Sequence, residues 1–541
     1  MKKTVLMLGA GFMQGVAIRA AKNLNCYVVA VDANRNAASV DLADRFEPID
    51  LKDYQALIAF ALQLKAERGL DAVFTVATDF SFSVAKVAEA CGLHGHSVQS
   101  AENATDKAKM RECFDACGVP STKFVRFGDA EAKAAVSYFT DSNLKLPVVV
   151  KPVDNMGARG CEKVCNLSDL KQAVENSIKY SRTGYAIVEE FIEGNEFSLE
   201  GLVFNGELFI TAVAQRHIAF PPYFVEMGHT IPANISSEDA FELIKVFSDG
   251  VKALGLTSGA VKGDIFLKDS KAYVGEIAAR LSGGYMSGWT VPYSSGIDIT
   301  TAAIKLALGQ TPVEIISCAD AKKLPPLFQN TKKFSAERAW ISIPGVIEKV
   351  YGLQEAKNTL GVCDVFPRNK KGDKVKFPEN NVEKCGNVLS VGKTYNDAVM
   401  SAEKACKKIV LRLMPANNAT DDFLKQTNNS FPPDFINLAL SEKKSILDSV
   451  KDCRHIKKEK IVFPCVFEKY LNSAKDIQGR TLTEVFELLY TIEPALLQWV
   501  LNLPDLHDNR NSKNMQRDFW SAFIRGGIQG ALYFYDTQTL T

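Results

Sequence analysis

The residues best suited to chemistry lie in the stretch 259–284. Apolar alternation on both sides of the polar turn 268–271 predicts a β-hairpin there. A hairpin centred on Ser270 puts Asp264 opposite Glu276, with side chains about 5 Å apart on one face of the strand pair. Two facing carboxylates repel each other unless a cation lies between them, and oxygen ligands across such a gap suit one or two Mg²⁺ ions that also contact phosphate. The alternative is a surface hairpin with two solvated acids.

A cation suited to an anionic intermediate follows this acidic pair. Arg280 lies four residues after Glu276 and is succeeded by the flexible segment Ser282–Gly284. A planar guanidinium group is suited to bind an anionic intermediate. The stretch therefore combines metal-ligating and oxyanion-binding residue types.

Two lysines precede it in positions suited to phosphate. Thr105 is expected to cap a helix over 106–117, which puts Lys107 in a first turn where the helix macrodipole disfavours a cation and so indicates a task for its ammonium group. Lys151 ends a predicted strand, 146–150, and leads into the loop Asn155–Gly160. Backbone N–H groups of such a loop can cover phosphates, although an ordinary hairpin turn has the same composition.

The amino-terminal stretch has the pattern strand, glycine turn, helix, strand, with Gly9, Gly11 and Gly15 in the turn and Asp32 after the second strand. This order is typical of dinucleotide-binding domains. The spacing departs from the usual fingerprint, and the glycines also serve a tight turn and close helix packing. A dehydrogenase remains an alternative at this point.

Composition excludes several functional classes. The chain has 541 residues, 64 basic and 63 acidic, with a formal net charge of +1, so bulk charge gives no indication of a nucleic-acid or membrane-surface role. A run of eighteen apolar residues is absent from the sequence, and twelve cysteines are scattered without zinc spacing. We expect a reduced, cytoplasmic enzyme with no nucleic-acid or membrane partner.

The order of six motifs resembles that of the ATP-grasp ligases, in particular the L-amino-acid ligases and the short relatives of the carbamoyl phosphate synthetase large subunit. The resemblance covers about residues 1–415. In chain order, the motifs are TDKAKMRECFDACGVP, VVVKPVDNMGARGC, VEEFIEGNEF, PPYFVEMGH, GDIF…GEIAARLSGG and GNVLSVGKTYNDAVMSAEKA.

The resemblance implies a fold and a division of the chain. The implied fold is α/β (α+β): an ATP-grasp fold with an N-terminal parallel α/β (pre-ATP-grasp) domain and an extra C-terminal helical region. The implied domains are 1–104 (Rossmann-like), 105–315 (ATP-grasp, with 119–190 as a mobile lid), 316–415 (ligase-type α/β subdomain) and 434–541 (helical, of unknown role).

The resemblance also implies roles for individual residues, with ATP and Mg²⁺ (or Mn²⁺) as cofactors. Catalytic roles fall to Arg280, Gly283 and Lys151. ATP contacts fall to Lys107, Lys151, Asn155, Gly157, Arg159, Gly160, Glu190, Phe191, Ile192, Glu196 and His229. Metal ligands are Asp264 and Glu276. Small-molecule carboxylate and amine substrates would contact Glu226, His229 and Arg280. Glu226 and His229 belong to the segment Pro221–Thr230, which the sequence predicts to be a loop.

One departure leaves the function open. Many relatives read Glu-x-Asn-Pro-Arg where this chain has Ala278 and Ala279, which removes an expected ligand to a second Mg²⁺. The preferred function is an ATP-dependent ligase that joins an amino acid to an amine through an acyl phosphate. The alternatives are a bicarbonate-using carboxylase or carbamoyl-phosphate-forming enzyme, and an inactive ATP-grasp scaffold. A homodimer is compatible with each of them.

Overall fold

The computed structural model describes residues 2–316, 333–426, 431–450, 453–458, 460–503 and 510–539. The chain divides into two compact units, one of residues 1–337 with 391–398, the other of residues 338–390 with 399–541. The expected four-part division is finer than this and stays a prediction; its boundary at 315/316 adjoins residues outside the described ranges.

The first unit begins with a four-stranded parallel sheet in the order β3-β2-β1-β4. Strands β1, β2 and β4 are almost entirely apolar and buried, as expected for a sheet covered by helices on both faces, whereas the edge strand β3 (Arg-Phe-Glu) is only half-buried. The elements of this region are β1 (Thr4–Leu8), α1 (Gln14–Asn23), β2 (Tyr27–Val31), β3 (Arg45–Glu47), α2 (Tyr54–Arg68), β4 (Ala72–Phe74), α3 (Ser81–Cys91) and α4 (Val98–Asn103).

Helix α5 (Lys107–Cys117) leads from this sheet to a four-stranded antiparallel sheet in the order β5-β8-β6-β7. Its helix α8 is amphipathic and packs Leu170 and Val174 into the small core beneath the sheet. The elements are β5 (Phe124–Phe127), α6 (Asp129–Lys133), α7 (Ala135–Asp141), β6 (Val148–Pro152), β7 (Glu162–Val164), α8 (Leu167–Tyr180) and β8 (Ala186–Glu190).

The main antiparallel sheet of the first unit has the order β13-β12-β9-β10-β11. One face packs on α9 through Leu243, Val246 and Phe247, and the other face carries the charged residues considered below. The strands and the helix are β9 (Asn195–Phe204), β10 (Glu207–Ala219), β11 (Val225–Ile231), α9 (Ser237–Ala253), β12 (Gly259–Lys268) and β13 (Lys271–Ala278).

Beyond β13 the chain forms a short π-helical turn, Met286–Thr290, and then the helices α10 (Val291–Ser295), α11 (Ile299–Ala307) and α12 (Val313–Ile316). Strand β14 (Phe334–Trp340) begins in the first unit. Single-turn π segments occur often at functional sites.

The second unit contains small antiparallel sheets and a helical region. Strands β16 and β18 pair with each other, β15 lies between β17 and β19, and β20 pairs with β21. An aromatic core that includes Phe486, Trp520 and Phe523 holds the helices together. The elements are β15 (Gly345–Tyr351), α13 (Leu353–Lys357), β16 (Val362–Pro367), β17 (Lys374–Val375), β18 (Gly386–Gly392), α14 (Tyr395–Cys406), β19 (Val410–Leu413), α15 (Asn418–Lys425), α16 (Leu440–Ser449), β20 (His455–Lys458), β21 (Ile461–Pro464), α17 (Leu482–Ile492), α18 (Pro494–Asn502) and α19 (Arg510–Thr539).

The mixed α/β fold expected from the sequence, with extra carboxyl-terminal helices, is confirmed. The tail also contains the β20–β21 hairpin, and Cys453 and Cys465 form a disulfide around it that the cysteine spacing did not predict. Among the described residues, none of the helices combines the length and apolar character required to cross a membrane.

Candidate functional site

The predicted pairing of the two acids is confirmed, and a β-bulge produces it. Asp264 is the register partner of Glu276, whereas Ile265 pairs with Val274, so Gly275 is the extra residue. The two turn residues are Asp269 and Ser270, which both have positive φ. The hairpin is therefore centred between these two residues and not on Ser270. Without the bulge, a hairpin with this turn would not bring the two carboxylates opposite each other.

Glycine is required at the bulge. A Cβ atom at Gly275 would lie 2.9 Å from the backbone oxygen of Asp264 and 2.7 Å from the ring of Phe266. The Gly275 carbonyl also accepts a hydrogen bond from the fully buried guanidinium group of Arg111. Helix α5 thus fixes the bulge from below the sheet.

Asp264 is surrounded by donors. Its carboxylate accepts a hydrogen bond from Ser198 Oγ at 2.9 Å, lies 3.3 Å from Arg216 and bonds to Lys262 Nζ. Burial acts to raise the pKa of Asp264, but Arg216 and Lys262 outweigh burial and hold it well below its usual range. The group is therefore a carboxylate that already has two cationic partners.

Glu276 is the more accessible of the two acids. Its side chain is 30% exposed, and Oε2 lies 3.6 Å from Lys107 Nζ. Burial acts to raise its pKa, but Lys107, Lys151 and Lys262 lower it overall. This arrangement leaves an ionised carboxylate at the mouth of the site.

Lys107 is the first residue of helix α5. The N-cap is Asp106 and not Thr105 as predicted, because the Asp106 carboxylate accepts hydrogen bonds from the N–H groups of Ala108 and Lys109. The Lys107 ammonium donates to the Asn155 carbonyl at 2.8 Å. The capping carboxylate and Glu276 offset the unfavourable position of a cation at a helix N-terminus.

Lys151 and Glu189 form the second cationic element. Lys151 Nζ lies 2.6 Å from Glu189 Oε2, and Arg111 bonds to Oε1 at 2.9 Å. Burial acts to raise the pKa of Glu189, but Arg111 and Lys151 outweigh burial and lower it. Glu189 therefore fixes the direction of the Lys151 ammonium group and neutralises the charge of Arg111.

The predicted phosphate loop joins strands β6 and β7. Gly157, Ala158 and Gly160 all have positive φ, and a Cβ atom at Gly160 would lie 2.7 Å from the Tyr180 ring. The Asn155 amide donates to the Tyr180 carbonyl at 2.7 Å, and Arg159 Nε donates to the Met156 carbonyl at 3.0 Å. The loop lies against the end of helix α8.

Arg280 and Gly283 lie where the chain passes from the main antiparallel sheet to the amino-terminal parallel sheet. Leu281 forms a parallel bridge with Val76 after strand β4, and a Cβ atom at Gly283 would lie 3.4 Å from Ala77. Arg280 is 7% exposed and donates to the Leu281 carbonyl. In open α/β sheets, ligands bind outside the carboxyl ends of the strands, at the point where the strand order reverses. In this sheet that point lies between β1 and β4.

A further carboxyl group, that of Asp79 in the loop after strand β4, interacts electrostatically with Arg280. Burial raises the pKa of Asp79, and this effect exceeds the opposing effects of Arg280, Lys107 and Arg182. Asp79 also pairs with Arg182 at 3.4 Å. The site thus contains a third acid that the motifs did not indicate.

A fully buried carboxyl group anchors the turn after Arg280. Glu200 Oε1 accepts the Ser282 N–H at 2.6 Å and the Ser287 hydroxyl, while Oε2 has no hydrogen-bond partner among the described residues. Burial raises the pKa of Glu200. Both ends of the segment 282–287 are therefore tied to strand β9.

Arg216 joins two predicted site residues. Its guanidinium group contacts Glu196 at 3.0 Å and Glu226 at 2.9 Å, in addition to Asp264. Burial raises the pKa of Glu196, and Arg216 opposes this effect. The expected ribose-binding residue, Glu196, is thus part of a half-buried ion-pair network.

His229 and Glu226 lie on strand β11, so the expectation of a loop at Pro221–Thr230 is wrong for its second half. This half of the segment forms a strand because it pairs with β10, with Arg216 opposite His229. His229 is 2% exposed; its ring nitrogens contact Glu337 at 3.1 Å and Thr290 at 2.6 Å. The ligand atoms of Glu226, His229 and Glu337 all lie within 4.8 Å of one another.

The expected adenine segment follows strand β8. Glu190 has an exposed side chain, and the Phe191 N–H donates to the Pro147 carbonyl at 3.3 Å. The Phe191 ring lies 6.3 Å from the ring of Phe224, with Lys163 over its face at 3.7 Å. Ile192 is half-buried beside them.

Sequence reasoning missed five charged residues of the site. They are Asp79, Glu189, Glu200, Arg216 and Lys262. Glu189 lies within the motif VEEFIEGNEF and Lys262 within the stretch 259–284, but their residue types gave no role there. The other three come from chain segments without a recognisable motif, where alternation of charge along β9 and β10 was the available signal for Glu200 and Arg216.

The residues fit a polyphosphate and a divalent cation. Lys107 and Lys151 supply positive charge beside a loop rich in backbone N–H groups, and Glu276 offers an ionised, accessible oxygen. Asp264 fits a metal less well, because its partners already include two cations.

Comparisons with known families agree with this geometry. Residues 144–288 match a family model described as the ATP-grasp domain, and residues 339–414 match L-amino acid ligase C-terminal domain 2. Alanine–anticapsin ligase of Bacillus subtilis (strain 168) is 29% identical over 243 residues, which are 40% of this chain and 50% of that protein. The uncharacterized protein y4rH of Sinorhizobium fredii is 22% identical over 75% of this chain and 81% of its own length.

Solved structures show the same fold. An L-amino acid ligase from Bacillus licheniformis has a TM-score of 0.66 at 23% identity, over 76% of this chain and 99% of that one. A phosphoribosylglycinamide synthetase from Anaerococcus prevotii has a TM-score of 0.59 at 23% identity, over 76% and 100%.

Proposed function

The chain contains an ATP-grasp domain (residues 144–288) and a region that matches L-amino acid ligase C-terminal domain 2 (residues 339–414), and from that premise we propose that it joins the carboxylate of an amino acid to an amine at the expense of ATP. The observation that carries the proposal is the pairing of Asp264 with Glu276, with Lys107 Nζ 3.6 Å from Glu276 and the charge of Lys151 also acting on it.

In this proposal the nucleotide lies between the loop Asn155–Gly160 and the main sheet. Lys107 and Lys151 neutralise phosphate oxygens, and the backbone of Glu190–Ile192 meets the adenine edge. Glu189 supports this arrangement because it fixes the direction of the Lys151 ammonium. Glu276 would hold Mg²⁺ or Mn²⁺, which would supply charge neutralisation for the phosphates when bound.

The chemistry needs no nucleophile from the protein. An oxygen of the substrate carboxylate attacks the γ-phosphorus, the bond to the β-phosphate oxygen breaks, and ADP leaves. The amine nitrogen then attacks the acyl carbon, loses a proton, and expels inorganic phosphate. Arg280 and the Gly283 N–H stabilise the oxyanion of that second step.

Asp79 supports an amino acid as a substrate. Its carboxyl group pairs with Arg182 at 3.4 Å and interacts electrostatically with Arg280 and Lys107, in the loop after strand β4 where ligands of α/β sheets bind. A carboxylate beside a guanidinium group matches the two charges of a free amino acid. Glu226 and His229 contact Arg216 and Thr290, and in this proposal they shape the substrate pocket from behind.

The test is phosphate release from ATP with pairs of amino acids, with bicarbonate and with nucleotide alone. Release that requires an amino acid, with amide formation detected by mass spectrometry, is expected. Release that requires bicarbonate would instead favour a carboxylating enzyme. Nucleotide binding without release under any condition would favour an inactive scaffold.

A further inference from the structure

Four side chains on one face of the β12–β13 hairpin form two cross-strand pairs. Asp264 lies opposite Glu276, and Lys262 lies opposite Ala278. Residues two apart on a strand share a face, so both pairs belong to the same surface of the sheet. The acidic pair is thus followed along the hairpin by a pair of a lysine and a small residue.

Lys262 is turned toward the acids. Its ammonium group bonds to Asp264, which is the register partner of Glu276. The small Ala278 side chain leaves room across the strand for a long lysine, and a larger polar residue there would compete for that space. The side chain of Lys262 is 17% exposed, so its charge acts in a poorly solvated environment.

Asp264 has little capacity left for a metal ion. Ser198 and Lys262 bond to separate oxygens, and Arg216 adds a second positive charge at 3.3 Å. A divalent cation bound to Asp264 would lie close to both of these cations in a medium of low dielectric constant. Glu276 faces one lysine at 3.6 Å and keeps accessible surface.

We propose that the ammonium group of Lys262 takes the position of one of the two divalent cations expected with ATP in such a site, so that the chain binds a single divalent cation per nucleotide, through Glu276. The inference rests on the proposed function, because it presupposes that the site binds a nucleotide. Ala278 then accommodates the lysine and is not merely a missing ligand.

Counting bound Mn²⁺ tests the inference directly. The full-length protein is titrated with Mn²⁺ in the presence of a non-hydrolysable ATP analogue, and free Mn²⁺ is followed by electron paramagnetic resonance. The unmodified chain is expected to bind one Mn²⁺. The double variant Lys262→Met/Ala278→Asn, which removes the cation and adds an amide oxygen, is expected to bind two.

Lys268→Met is the matched control, since Lys268 is exposed at the end of the same strand, and it is expected to bind one Mn²⁺. Two Mn²⁺ ions on the unmodified chain, or one on a folded double variant, would overturn the inference. If the double variant does not fold, the count on the unmodified chain decides alone. Absence of nucleotide binding by the unmodified chain would instead refute the proposed function, and the inference with it.

Discussion

The Glu189 carboxylate links a buried guanidinium group to the edge of the site: Arg111 donates to one oxygen at 2.9 Å, and Lys151 Nζ lies 2.6 Å from the other. Glu189 is 3% exposed and Arg111 is fully buried, so neither charge is compensated by water. The same carboxylate therefore contributes to stability and directs a lysine that we propose contacts phosphate.

Glu189→Gln removes the negative charge and leaves Arg111 without its counter-ion. We expect a loss of roughly 3 kcal/mol or more in the free energy of unfolding, because breaking one side of a buried ion pair leaves an uncompensated charge. Urea unfolding followed by circular dichroism measures this loss. Glu102→Gln, which breaks the exposed Lys109–Glu102 pair, is the control and should cost less than about 1 kcal/mol.

The same variant makes a prediction for pH. The pKa of Glu189 is lowered from its ordinary value of 4.5, so the unfolded state takes up its proton at a higher pH than the folded state does. The stabilisation is therefore complete above pH 4.5 and is lost as the pH falls through the folded-state pKa. The difference in unfolding free energy between the unmodified chain and Glu189→Gln should shrink on acidification below about pH 4.5. A difference that grows there would contradict this assignment.

Glu276→Gln should abolish most turnover with the fold intact. Loss of the accessible carboxylate is expected to lower kcat about 100-fold or more, which corresponds to roughly 3 kcal/mol of transition-state stabilisation. Amino-acid-dependent phosphate release measures kcat, and thermal melting checks the fold. Glu207→Gln, at an exposed position of strand β10, should retain normal turnover. Near-normal turnover of Glu276→Gln would count against the metal assignment.

Glu200→Ala should impair the chemical step more than nucleotide binding. The substitution frees the Ser282 N–H and the Ser287 hydroxyl, so the segment that carries Gly283 loses its anchor. We expect kcat to fall roughly 10- to 100-fold while the affinity for ADP changes little, because small displacements of catalytic groups are costly. Glu200→Gln keeps an acceptor oxygen and should recover most of the rate. Equal losses of rate and ADP affinity in Glu200→Ala would indicate general damage to the fold.

Gly275→Ala should disturb the acidic pair through the backbone. Its Cβ atom would meet the Asp264 backbone oxygen at 2.9 Å, and a β-bulge has little room to move. We expect a loss of about 1–3 kcal/mol in unfolding free energy together with lower turnover. Gly95→Ala, where the nearest contact would be an ordinary 3.6 Å, is the control and should be nearly neutral. A stable, fully active Gly275→Ala variant would contradict the role of the bulge.

Much of the fold follows from local sequence. The run Tyr27–Val31 is entirely apolar and the turn Asn205-Gly206 has residues that accept positive φ, so strand β2 and the β9–β10 hairpin are predictable without tertiary information. The pairing of Asp264 with Glu276 is also predictable, although the centre of the turn inferred from sequence is not the actual one.

The motif residues of the site can be identified from the order of the motifs along the chain. Which residues form hydrogen bonds and ion pairs with them is decided by the tertiary structure. Arg111 and Glu189 are 78 residues apart, and Glu200 and Ser282 are 82 apart, so no local pattern relates them. His229 illustrates the limit: the sequence suggested a loop residue that contacts ligand, and the sheet buries it against Glu337. Side-chain type and period decide where strands and turns form, but which charges neutralise each other depends on which strands become neighbours.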